Sequence, residues 1–492
     1  MPFKITVIGA GSVGFTREIV YDLLSIPAFS DIQLAFTDIN EKSLDMAVRL
    51  IQRDIDSNGL KIKIQATTDR RQALKDAKYV LNFVRIGMLD SFSADVNIPM
   101  KYGVDQCVGD TLCAGGIMYG QRGIPAVLEF CKDIREVANP GCIMLNYANP
   151  NAMLTWACNK YGGVHTIGLC HGVLHGHELI GKALGIDWKE IDITCVGINH
   201  QTWYTRIEHN GESLLDKLLP AMQADKEIAE KEKVRIDMLL RFGYFSTESN
   251  GHLSEYLPWY RKDVSKIADW ISMDKWINGE SGGYLRHCIE RRNWYETDFP
   301  AWLEQAPWKY KVHDAVEHAA HIIEGLELGT VYRGHFNVPN NGCITNLPND
   351  AIVEVPCYVT KLGIDVPVYG DLPLGCAAIC MQSINVQRLA VEAAVHGDIS
   401  LLRQAMMLDP LTGAVLYPDE IWQMTDEMLV ACEKLLPQYK DEIANAKKRL
   451  ATSYVEPHKP VSEKTRKKVK TLDEIRTDTE GQKVYFRPAH NN

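Results

Sequence analysis

A glycine-rich segment near the start of the chain has the residue types of a dinucleotide-binding turn. Gly9, Gly11 and Gly14 follow an apolar run at residues 4–8 and precede a helical pattern. In such a turn the first glycine permits a tight bend, the second lets the backbone approach a pyrophosphate, and the following helix directs N–H groups at the anion. The sequence therefore predicts cofactor contacts from Gly9, Gly11, Ser12 and Gly14.

Asp38 strengthens this prediction because it ends the next apolar run, LAFTD. A carboxylate at this place accepts hydrogen bonds from ribose hydroxyls and repels a 2′-phosphate, so it favours NAD over NADP. The alternative is a purely structural turn in which Asp38 caps a helix. The order of turn, strand and acidic residue favours the cofactor.

Two residues with metal-binding side chains follow other apolar runs. Cys170 ends HTIGLC and His200 follows CVGIN, and a thiolate and an imidazole can share one divalent ion. By residue type alone, a small buried cysteine and a core histidine are the more common outcome. His171, His175 and His177 form a rival cluster, but their spacing matches no recognisable zinc motif.

The elements that must position these residues follow from the apolar pattern. The first half alternates short apolar runs with helical patterns, as a parallel sheet covered by helices requires. The predicted strands are Lys4–Ile8, Ile32–Thr37, Tyr79–Val84, Ile143–Tyr147 and Thr166–Leu169, and the predicted helices include Ser43–Asn58 and Val127–Val137. This pattern predicts an α/β fold, a Rossmann-type doubly wound parallel sheet.

After about Gly197 the pattern changes to longer helices and a more aromatic composition, for example at residues 233–242 and 315–326, with a strand-like run at 351–356. This change predicts a second, mixed α+β domain for substrate binding and oligomerisation. The predicted division is an NAD-binding domain at residues 1–196, a substrate-binding domain at 197–436, and a peripheral charged helix and tail at 437–492. The tail contains the basic run KTRKKVK at residues 464–470, which is typical of an exposed, solvated segment.

The bulk properties exclude several classes of partner. With a formal net charge of -10 over 492 residues, the chain has no overall basic surface for nucleic acid. It has no apolar run of membrane-spanning length, and its N-terminus lacks the pattern of a secretory signal. The 13 cysteines, an odd number, fit reduced thiols better than a disulfide framework. We therefore expect a cytoplasmic enzyme with a small-molecule substrate and neither a nucleic-acid nor a membrane partner.

Several ordered stretches together resemble glycoside hydrolase family 4, over nearly all of the chain from Met1 to about Gln438. They are VGDTLCAGGIMYGQRGIP at residues 108–125, NYANPNAM at 146–153, GLCHGV at 168–173 and GINH at 197–200. GYFSTESNGHLSEYLPWY at residues 243–260 and MQSINVQ at 381–387 are especially similar to the α-galactosidase branch.

The resemblance implies a fold related to lactate and malate dehydrogenases, with NAD and usually Mn²⁺ as cofactors, and a homodimeric or homotetrameric assembly. Cys170 and His200 match the metal ligands of the family, which reverses the odds that residue type alone gives them. Asp110 matches an acidic position beside the sugar. Asn149 matches the asparagine of an N-P motif that contacts substrate hydroxyls.

The resemblance also implies a reaction. Bound NAD⁺ takes hydride from C3 of the sugar, the metal polarises the C2 and C3 oxygens, and a base removes the C2 proton. The glycosidic oxygen leaves by elimination, water adds at C1, and the hydride returns to C3, so no net redox change occurs. Such NAD-dependent enzymes are exceptions to the two-carboxylate scheme of most glycosidases.

The general base and acid are assigned by the same resemblance. Tyr244 stands where the phospho-glycosidase branch has a catalytic tyrosine, and a buried aromatic is the alternative interpretation. Asn250 stands where some members carry an aspartate but is not a base, so His252 is the second candidate. His171 follows the metal cysteine, where it would donate or relay a proton or contact sugar hydroxyls.

The run Cys170-His171-Gly172-Val173 bears on the sugar. In this family its third residue tracks the substrate class, and glycine resembles the α-glucuronidase branch. A glycine also enlarges the pocket, which is compatible with a C6 carboxylate on the sugar. The guanidinium groups available to bind such a carboxylate are Arg85, Arg122 and Arg333. We expect an α-glucuronidase, with Arg85 among the substrate-binding residues, and an α-galactosidase or α-galacturonidase as the alternatives.

Two functions of other classes remain on this scaffold. A 2-hydroxy acid dehydrogenase would need a histidine base beside a carboxylate in a G-x-H-G-D run, which the sequence lacks, and it has no use for a metal cysteine. A non-catalytic NAD sensor would be favoured by loss of Cys170, His200 or Asp110, and all three are present.

Overall fold

The computed structural model describes residues 2–457 and 462–477. The strands are β1 Lys4–Ile8, β2 Gln33–Thr37, β3 Gln65–Thr67, β4 Tyr79–Asn82, β5 Ile143–Asn146, β6 Thr166–Gly168, β7 Asp192–Ile198, β8 Gln201–His209, β9 Glu212–Ser213, β10 Tyr332–Pro339, β11 Ile352–Thr360 and β12 Gly363–Asp365.

The helices of the first half are α1 Val13–Leu24, α2 Glu41–Ser57, α3 Arg70–Leu74, α4 Met88–Lys101, α5 Cys113–Val137, α6 Asn151–Ala157 and α7 Gly172–Leu184. Those that follow are α8 Leu215–Ala224, α9 Lys226–Lys231, α10 Lys233–Phe242, α11 Asn250–Tyr256, α12 Ile267–Trp270, α13 Gly283–Glu290, α14 Trp294–Glu304, α15 His318–Leu328, α16 Leu374–His396, α17 Ile399–Leu408, α18 Pro410–Val415, α19 Pro418–Ala431, α20 Lys440–Ser453 and α21 Leu472–Thr477. Among the described residues, no helix is both long and apolar enough to span a membrane.

The first six strands form a parallel sheet in the order β3-β2-β1-β4-β5-β6. This is the strand order of doubly wound dinucleotide-binding folds, in which ligands bind at the carboxyl ends of the strands. The central strands are buried on both faces; every residue of β1, for instance, is buried. Continuous burial is the reason why the apolar runs of the sequence predict these strands within one or two residues. The predicted fold class is confirmed.

Strands from the second half extend the same sheet. β10 pairs antiparallel with β6, followed by β11, β7 and β8, each antiparallel to its neighbour. The chain thus inserts β10 and β11 between β6 and β7, although β7 comes earlier in sequence. Because the sheet is continuous across residue 196, the division into domains at 196 and 436 stays a prediction.

One cross-strand row lies at the carboxyl ends of the parallel strands. From the paired positions, the row runs through Thr37, Ile8, Asn82, Asn146, Gly168, Asn337, Glu354, Gly197 and Thr202. Its buried side chains are tied together; Nδ2 of Asn82, for example, donates to Oδ1 of Asn146 at 2.8 Å. Residues that directly follow this row emerge at one edge of the sheet, which makes that edge the place for a site.

Helix α5 is much longer than the predicted helix at residues 127–137. Its first half is buried almost throughout and contains Gly115, Gly116, Gly120 and Gly123. A helix buried on all sides shows no amphipathic period, and four glycines suggest a loop, so the pattern fails there. A Cβ on Gly116 would lie 2.4 Å from the backbone of Thr111, so the glycines let α5 pack against the preceding loop.

The C-terminal segment lies at the periphery of the molecule. Helix α20 packs against α19. Within the basic run, Lys464, Lys468 and Lys470 are exposed, whereas Thr465 is buried and its hydroxyl lies 3.0 Å from that of Ser281. The rest of the predicted tail, residues 458–461 and 478–492, lies outside the described residues.

Substitution of Gly168 tests how tightly the side chains of the cross-strand row are packed. A Cβ there would lie 1.9 Å from Oδ1 of Asn151, so we expect Gly168→Ala to destabilise the fold by about 1–3 kcal/mol. Thermal unfolding measures the effect as a lower midpoint. The matched control is Gly120→Ala in α5, whose nearest neighbour would be the flexible Met153 side chain, and its midpoint should not fall. Equal midpoints for the two variants would contradict the close packing at the row.

Candidate functional site

The glycine-rich turn joins β1 to α1 with the expected geometry. Gly9 has a φ of +88°, and a Cβ there would lie 3.1 Å from backbone atoms just beyond β4. A Cβ on Gly11 would lie 2.6 Å from Oδ2 of Asp38. Ser12 is the N-cap of α1, and the first helical turn, with Gly14, carries no acidic side chain. The turn and the N-terminus of α1 therefore form a cradle that fits a pyrophosphate.

Asp38 directly follows β2 and is tied to the turn. Its Oδ2 accepts a hydrogen bond from the N–H of Gly11 at 2.8 Å, and its Oδ1 accepts one from the N–H of Asn40 at 2.8 Å. Each carboxylate oxygen keeps further acceptor capacity, as ribose hydroxyls require. A shallow surface cleft close by is lined by Ile39, Asn40, Glu41, Lys42 and Thr68.

Cys170, His200 and Glu248 form a cluster whose ligating atoms all lie within 4.8 Å of one another. Oε2 of Glu248 lies 3.4 Å from Sγ of Cys170 and 3.6 Å from Nε2 of His200. Sulfur, imidazole nitrogen and carboxylate oxygen together suit a divalent transition metal. The structure brings together the two predicted metal ligands and adds a carboxylate that the sequence analysis did not include.

Cys170 lies two residues beyond β6, where α7 begins. The N–H of Gly172 points at Sγ of Cys170 at 3.4 Å, and the N-terminus of a helix favours negative charge on that sulfur. Burial, together with the charge of Glu248, raises the pKa of the thiol above its ordinary value. A thiolate at this position therefore needs a bound cation.

His200 occupies the two-residue turn between β7 and β8. Its φ of +62° lies in the left-handed region, which is rare outside glycine and persists where the surroundings enforce it. Nδ1 lies 3.2 Å from the hydroxyl of Tyr256, which fixes the ring and leaves Nε2 facing Glu248. The ring of buried His252 packs edge-on against His200, with centroids 4.8 Å apart.

Glu248 is held in place by backbone pairing with β8. The N–H of Thr247 donates to the carbonyl of Thr202 at 3.0 Å, and the N–H of Thr202 donates to Oγ1 of Thr247 at 3.2 Å. Burial opposes ionisation of Glu248, but His200 and His252, with a third histidine, more than offset it and lower its pKa to about 2. The carboxylate is therefore charged and fixed.

Arg85, Asp110 and Asn149, three of the predicted substrate contacts, share one hydrogen-bonded group. Nη2 of Arg85 lies 2.9 Å from Oδ2 of Asp110, and Nδ2 of Asn149 donates to Oδ1 of Asp110 at 3.3 Å. Within the described part of the chain, buried Nη1 of Arg85 has no hydrogen-bond partner. Because an unpaired buried donor is costly, a polar group of a ligand would stabilise it.

The loop that leads into Asp110 is fixed by the buried carboxylate of Glu255. It accepts hydrogen bonds from the N–H groups of Cys107 at 2.6 Å, Val108 at 2.9 Å and Gly109 at 3.0 Å. Burial raises the pKa of Glu255 to about 7, although these N–H groups oppose the rise. Glu255 lies on the same helix as Tyr256, so α11 supports both the predicted substrate contacts and the candidate metal cluster.

His171 is held by a carboxylate from a distant segment. Its Nε2 lies 2.8 Å from both oxygens of Glu317, and the hydroxyl of Tyr147 donates to the same carboxylate at 3.2 Å. Burial lowers the pKa of His171, but Glu317 more than offsets this effect and raises it to about 8. An imidazole oriented by a carboxylate is suited to donating or accepting a proton.

The contacts of the remaining candidates are as follows, and the role of Tyr244 as the base stays a prediction. Tyr244 is half-buried and packs against the main core. The amide of Asn250 is used fully by the fold, since Oδ1 accepts from the N–H of Val234 and Nδ2 donates to two carbonyls. Of the histidines near Cys170, His175 is exposed and stacks on His171, and His177 donates to the carbonyl of residue 191.

Two of the three arginines considered for a substrate carboxylate are occupied by the protein. The guanidinium of Arg122 is buried and ion-paired with Asp95. Nη2 of Arg333 donates to the carbonyl of Ile193 at 2.6 Å. Arg85, beside Asp110, is the one that borders the substrate group described above.

The strands between Cys170 and His200 carry a buried carboxyl, Glu354. Nδ2 of Asn199 lies 3.3 Å from its Oε2, and β10 places Asn337 opposite it. Burial raises the pKa of Glu354 to about 8, and the charge of Glu248 adds to the effect. This polar layer joins the two metal-ligand segments through the sheet.

Three acidic residues of the site, Glu248, Glu255 and Glu317, are not predicted from the sequence. All three act on partners far along the chain; Glu248 is 78 residues from Cys170, and Glu317 is 146 residues from His171. Glu248 and Glu255 fall inside the stretch GYFSTESNGHLSEYLPWY, so the motif itself was the available signal. Glu317 has no signal of this kind in the sequence.

The strand order and the glycine-rich turn define a dinucleotide-binding α/β fold, here with a cluster of metal-ligating side chains at the carboxyl ends of its strands. A family model described as Family 4 glycosyl hydrolase matches residues 4–186, and a model of the C-terminal domain of that family matches residues 195–412. The chain belongs to glycosyl hydrolase family 4, and it is a glycosidase.

Individual relatives are similar over nearly their whole lengths. An α-galactosidase of Rhizobium meliloti (strain 1021) is 52% identical over 98% of this chain and 99% of that protein. An α-galactosidase of Bacillus subtilis (strain 168) is 33% identical, over 89% of this chain and 100% of that protein. A 6-phospho-β-glucosidase from Thermotoga maritima, solved with manganese, NAD⁺ and glucose-6-phosphate, has the same fold, with a TM-score of 0.72 and 23% identity over 88% of this chain and 99% of that one.

The glycine-rich turn yields a binding prediction. A Cβ on Gly11 would collide with the Asp38 carboxylate, so we expect Gly11→Ala to weaken NAD binding by about tenfold or more. Titration calorimetry with NAD⁺ measures the change, and Gly120→Ala serves as the control. Unchanged affinity in Gly11→Ala would remove the turn from the cofactor site.

The pair of His171 and Glu317 yields a kinetic prediction. Glu317→Gln keeps the size of the side chain but removes the charge that orients the imidazole, so kcat for glycoside cleavage should fall by at least about tenfold, with a smaller change in KM. Glu317→Asp should retain more activity than Glu317→Gln. A wild-type kcat in Glu317→Gln would exclude a catalytic role for this pair.

Proposed function

We propose that the protein is an α-galactosidase that requires NAD and a divalent metal, such as Mn²⁺. The observation that carries the choice of sugar is the space above Gly172. A Cβ on Gly172 would lie 1.8 Å from Oε2 of Glu248, so the room left by this glycine is filled by a carboxylate of the protein.

The position of the Glu248 carboxylate argues against a glucuronide, the substrate expected from Gly172. The smaller side chain of a glycine was expected to open space for the C6 carboxylate of a uronic acid, but the carboxylate of Glu248 already occupies that space. Arg122 and Arg333 are engaged elsewhere, which leaves Arg85 alone of the three to neutralise a uronate. Two of the relatives described above, 52% and 33% identical to this chain, are α-galactosidases, which supports a galactoside as the substrate.

Both cofactors fit residues of this chain. The backbone of Gly9 and Gly11 leaves a cradle that side chains would fill, at the N-terminus of a helix without acidic residues in its first turn. Cys170 and His200 supply a soft and an intermediate ligand within reach of a single ion. When bound, NAD supplies reversible hydride transfer at a sugar carbon and the metal supplies a Lewis acid beside it.

The residues of the chain supply binding and proton transfer. Asp110 and Asn149 hold sugar hydroxyls, and Nη1 of Arg85 donates a further hydrogen bond. His171, oriented by Glu317, gives a proton to the leaving glycosidic oxygen. Tyr244 as the base at C2 rests on the family resemblance and stays a prediction.

The proposed activity is tested with p-nitrophenyl α-galactoside, α-glucuronide and α-galacturonide. We expect cleavage of the galactoside with a kcat/KM at least about tenfold above the other two, and loss of activity when NAD⁺ or Mn²⁺ is omitted. Preference for either uronide would overturn the choice of sugar. Cleavage of no glycoside, together with net NADH formation from a 2-hydroxy acid, would favour the dehydrogenase instead. NAD binding without either reaction would favour a sensor.

Substitution of the metal cysteine provides a second test. Cys170→Ser should abolish metal-dependent activity while NAD binding persists, because the sulfur lies at the metal cluster and apart from the glycine-rich turn. Cys142→Ala, at a buried cysteine that precedes β5, is the control and should keep its activity. Full activity in Cys170→Ser would show that the metal binds elsewhere.

Compartment and assembly belong to the same proposal. We propose a cytoplasmic enzyme, which the 13 free thiols support because such thiols persist in a reducing compartment. A homodimer or homotetramer stays a prediction, which light scattering on the purified protein measures.

A further inference from the structure

One oxygen of Glu248 reaches both metal-ligating atoms of the cluster. Oε2 lies 3.4 Å from Sγ of Cys170 and 3.6 Å from Nε2 of His200. Donor atoms about 2.0–2.3 Å from one ion lie about 3–3.7 Å from each other, so both distances match those between ligands that share a metal. A carboxylate that served only as a hydrogen-bond acceptor for Cys170 would not need to face His200 as well.

The position of this oxygen is enforced from two sides. The preceding residue, Thr247, is hydrogen-bonded through its backbone and its hydroxyl to Thr202 of β8. On the other side lies Gly172, where a Cβ would approach Oε2 to 1.8 Å. Any side chain at position 172 would therefore displace the carboxylate, and the glycine is a requirement of the cluster.

We propose that Glu248 is the third protein ligand of the divalent metal, and that Gly172 is a glycine in order to admit it. This inference rests on the metal site at Cys170 and His200 in the proposed function. The thiolate of Cys170 and the carboxylate of Glu248 together balance the charge of a divalent ion, and the imidazole of His200 binds without adding charge. Three protein ligands leave positions open for oxygens of the substrate, as catalytic metal sites require.

Two roles of Gly172 can be distinguished by experiment: it selects the substrate, or it makes room for Glu248. If Gly172 determines the substrate, its substitution should change which sugars the enzyme cleaves. If Gly172 makes room for Glu248, its substitution should change the metal affinity even when no sugar is present. The second role is measurable without turnover.

The experiment measures Mn²⁺ binding to the NAD-loaded protein without substrate, by titration calorimetry and by the EPR signal of free Mn²⁺. Loss of a ligand costs at least as much as loss of a residue that orients one, so E248Q should lower the affinity by about 10–100-fold or more. The matched control is E212Q, at an exposed glutamate of β9, and it should bind Mn²⁺ as the wild type does. C170S lacks the ligating thiol, so its Mn²⁺ affinity shows how far the affinity falls when a metal ligand is lost.

A double-substitution cycle tests the role of Gly172. G172A should lower Mn²⁺ affinity, because its methyl group displaces the carboxylate. In E248A there is no carboxylate to displace, so adding G172A should cause little further loss. Independent, additive losses would show that Gly172 acts on something other than Glu248.

The outcomes distinguish this inference from the proposed function. Wild-type Mn²⁺ affinity in E248Q, with loss in C170S, would overturn the role of Glu248 and leave the proposed function standing. A wild-type protein that binds no Mn²⁺ would overturn the metal dependence itself, and with it this inference. NAD affinity reports that each variant is folded. If E248Q fails that check, E248D replaces it, because its carboxylate is retracted by one methylene and should bind Mn²⁺ more weakly than the wild type.

Discussion

The site depends on one constraint, which is that the strands of a single sheet end at a common row. Thr37, Ile8 and Asn82 of this row are followed by Asp38, Gly9 and, three residues on, Arg85. In the other part of the sheet, Gly168 and Gly197 of the same row are followed at short range by Cys170 and His200. Hydrogen bonds between strands therefore fix the distances among the residues proposed to bind the cofactor, the substrate and the metal before any ligand arrives.

Buried carboxylates carry out the finer positioning, each at a different point of the site. Glu255 gathers three N–H groups and shapes the loop that presents Asp110. Glu317 orients His171, and Glu248 faces Cys170 and His200. Each of these charges is compensated by hydrogen bonds or by a charged partner, as burial of a carboxylate requires. In the proposed function their partners bind the metal, bind the substrate or transfer a proton, so the same contacts serve both stability and that function.

The first half of the fold and the glycine-rich turn could be predicted from the sequence because buried parallel strands and tight turns leave local signals. The beginning of α5 could not, since its burial on all sides removes the helical period. The place of β10 and β11 within the sheet could not either, since pairing between distant segments leaves no periodic trace. The same limitation affected Gly172: a glycine shows that space is needed, but only the fold shows that Glu248 takes it.

The order of strands has a further consequence for how the site comes into being. β10 and β11 lie between β6 and β7 in the sheet, yet they come after both in the chain. Cys170 and His200 thus acquire their final separation only after residues 332–360 have been inserted between them. Because pairing between segments so far apart in sequence forms slowly, the candidate metal cluster is complete only when the chain has folded at least as far as residue 360. Assembly of the candidate metal cluster is therefore coupled to the pairing of strands from both halves of the chain.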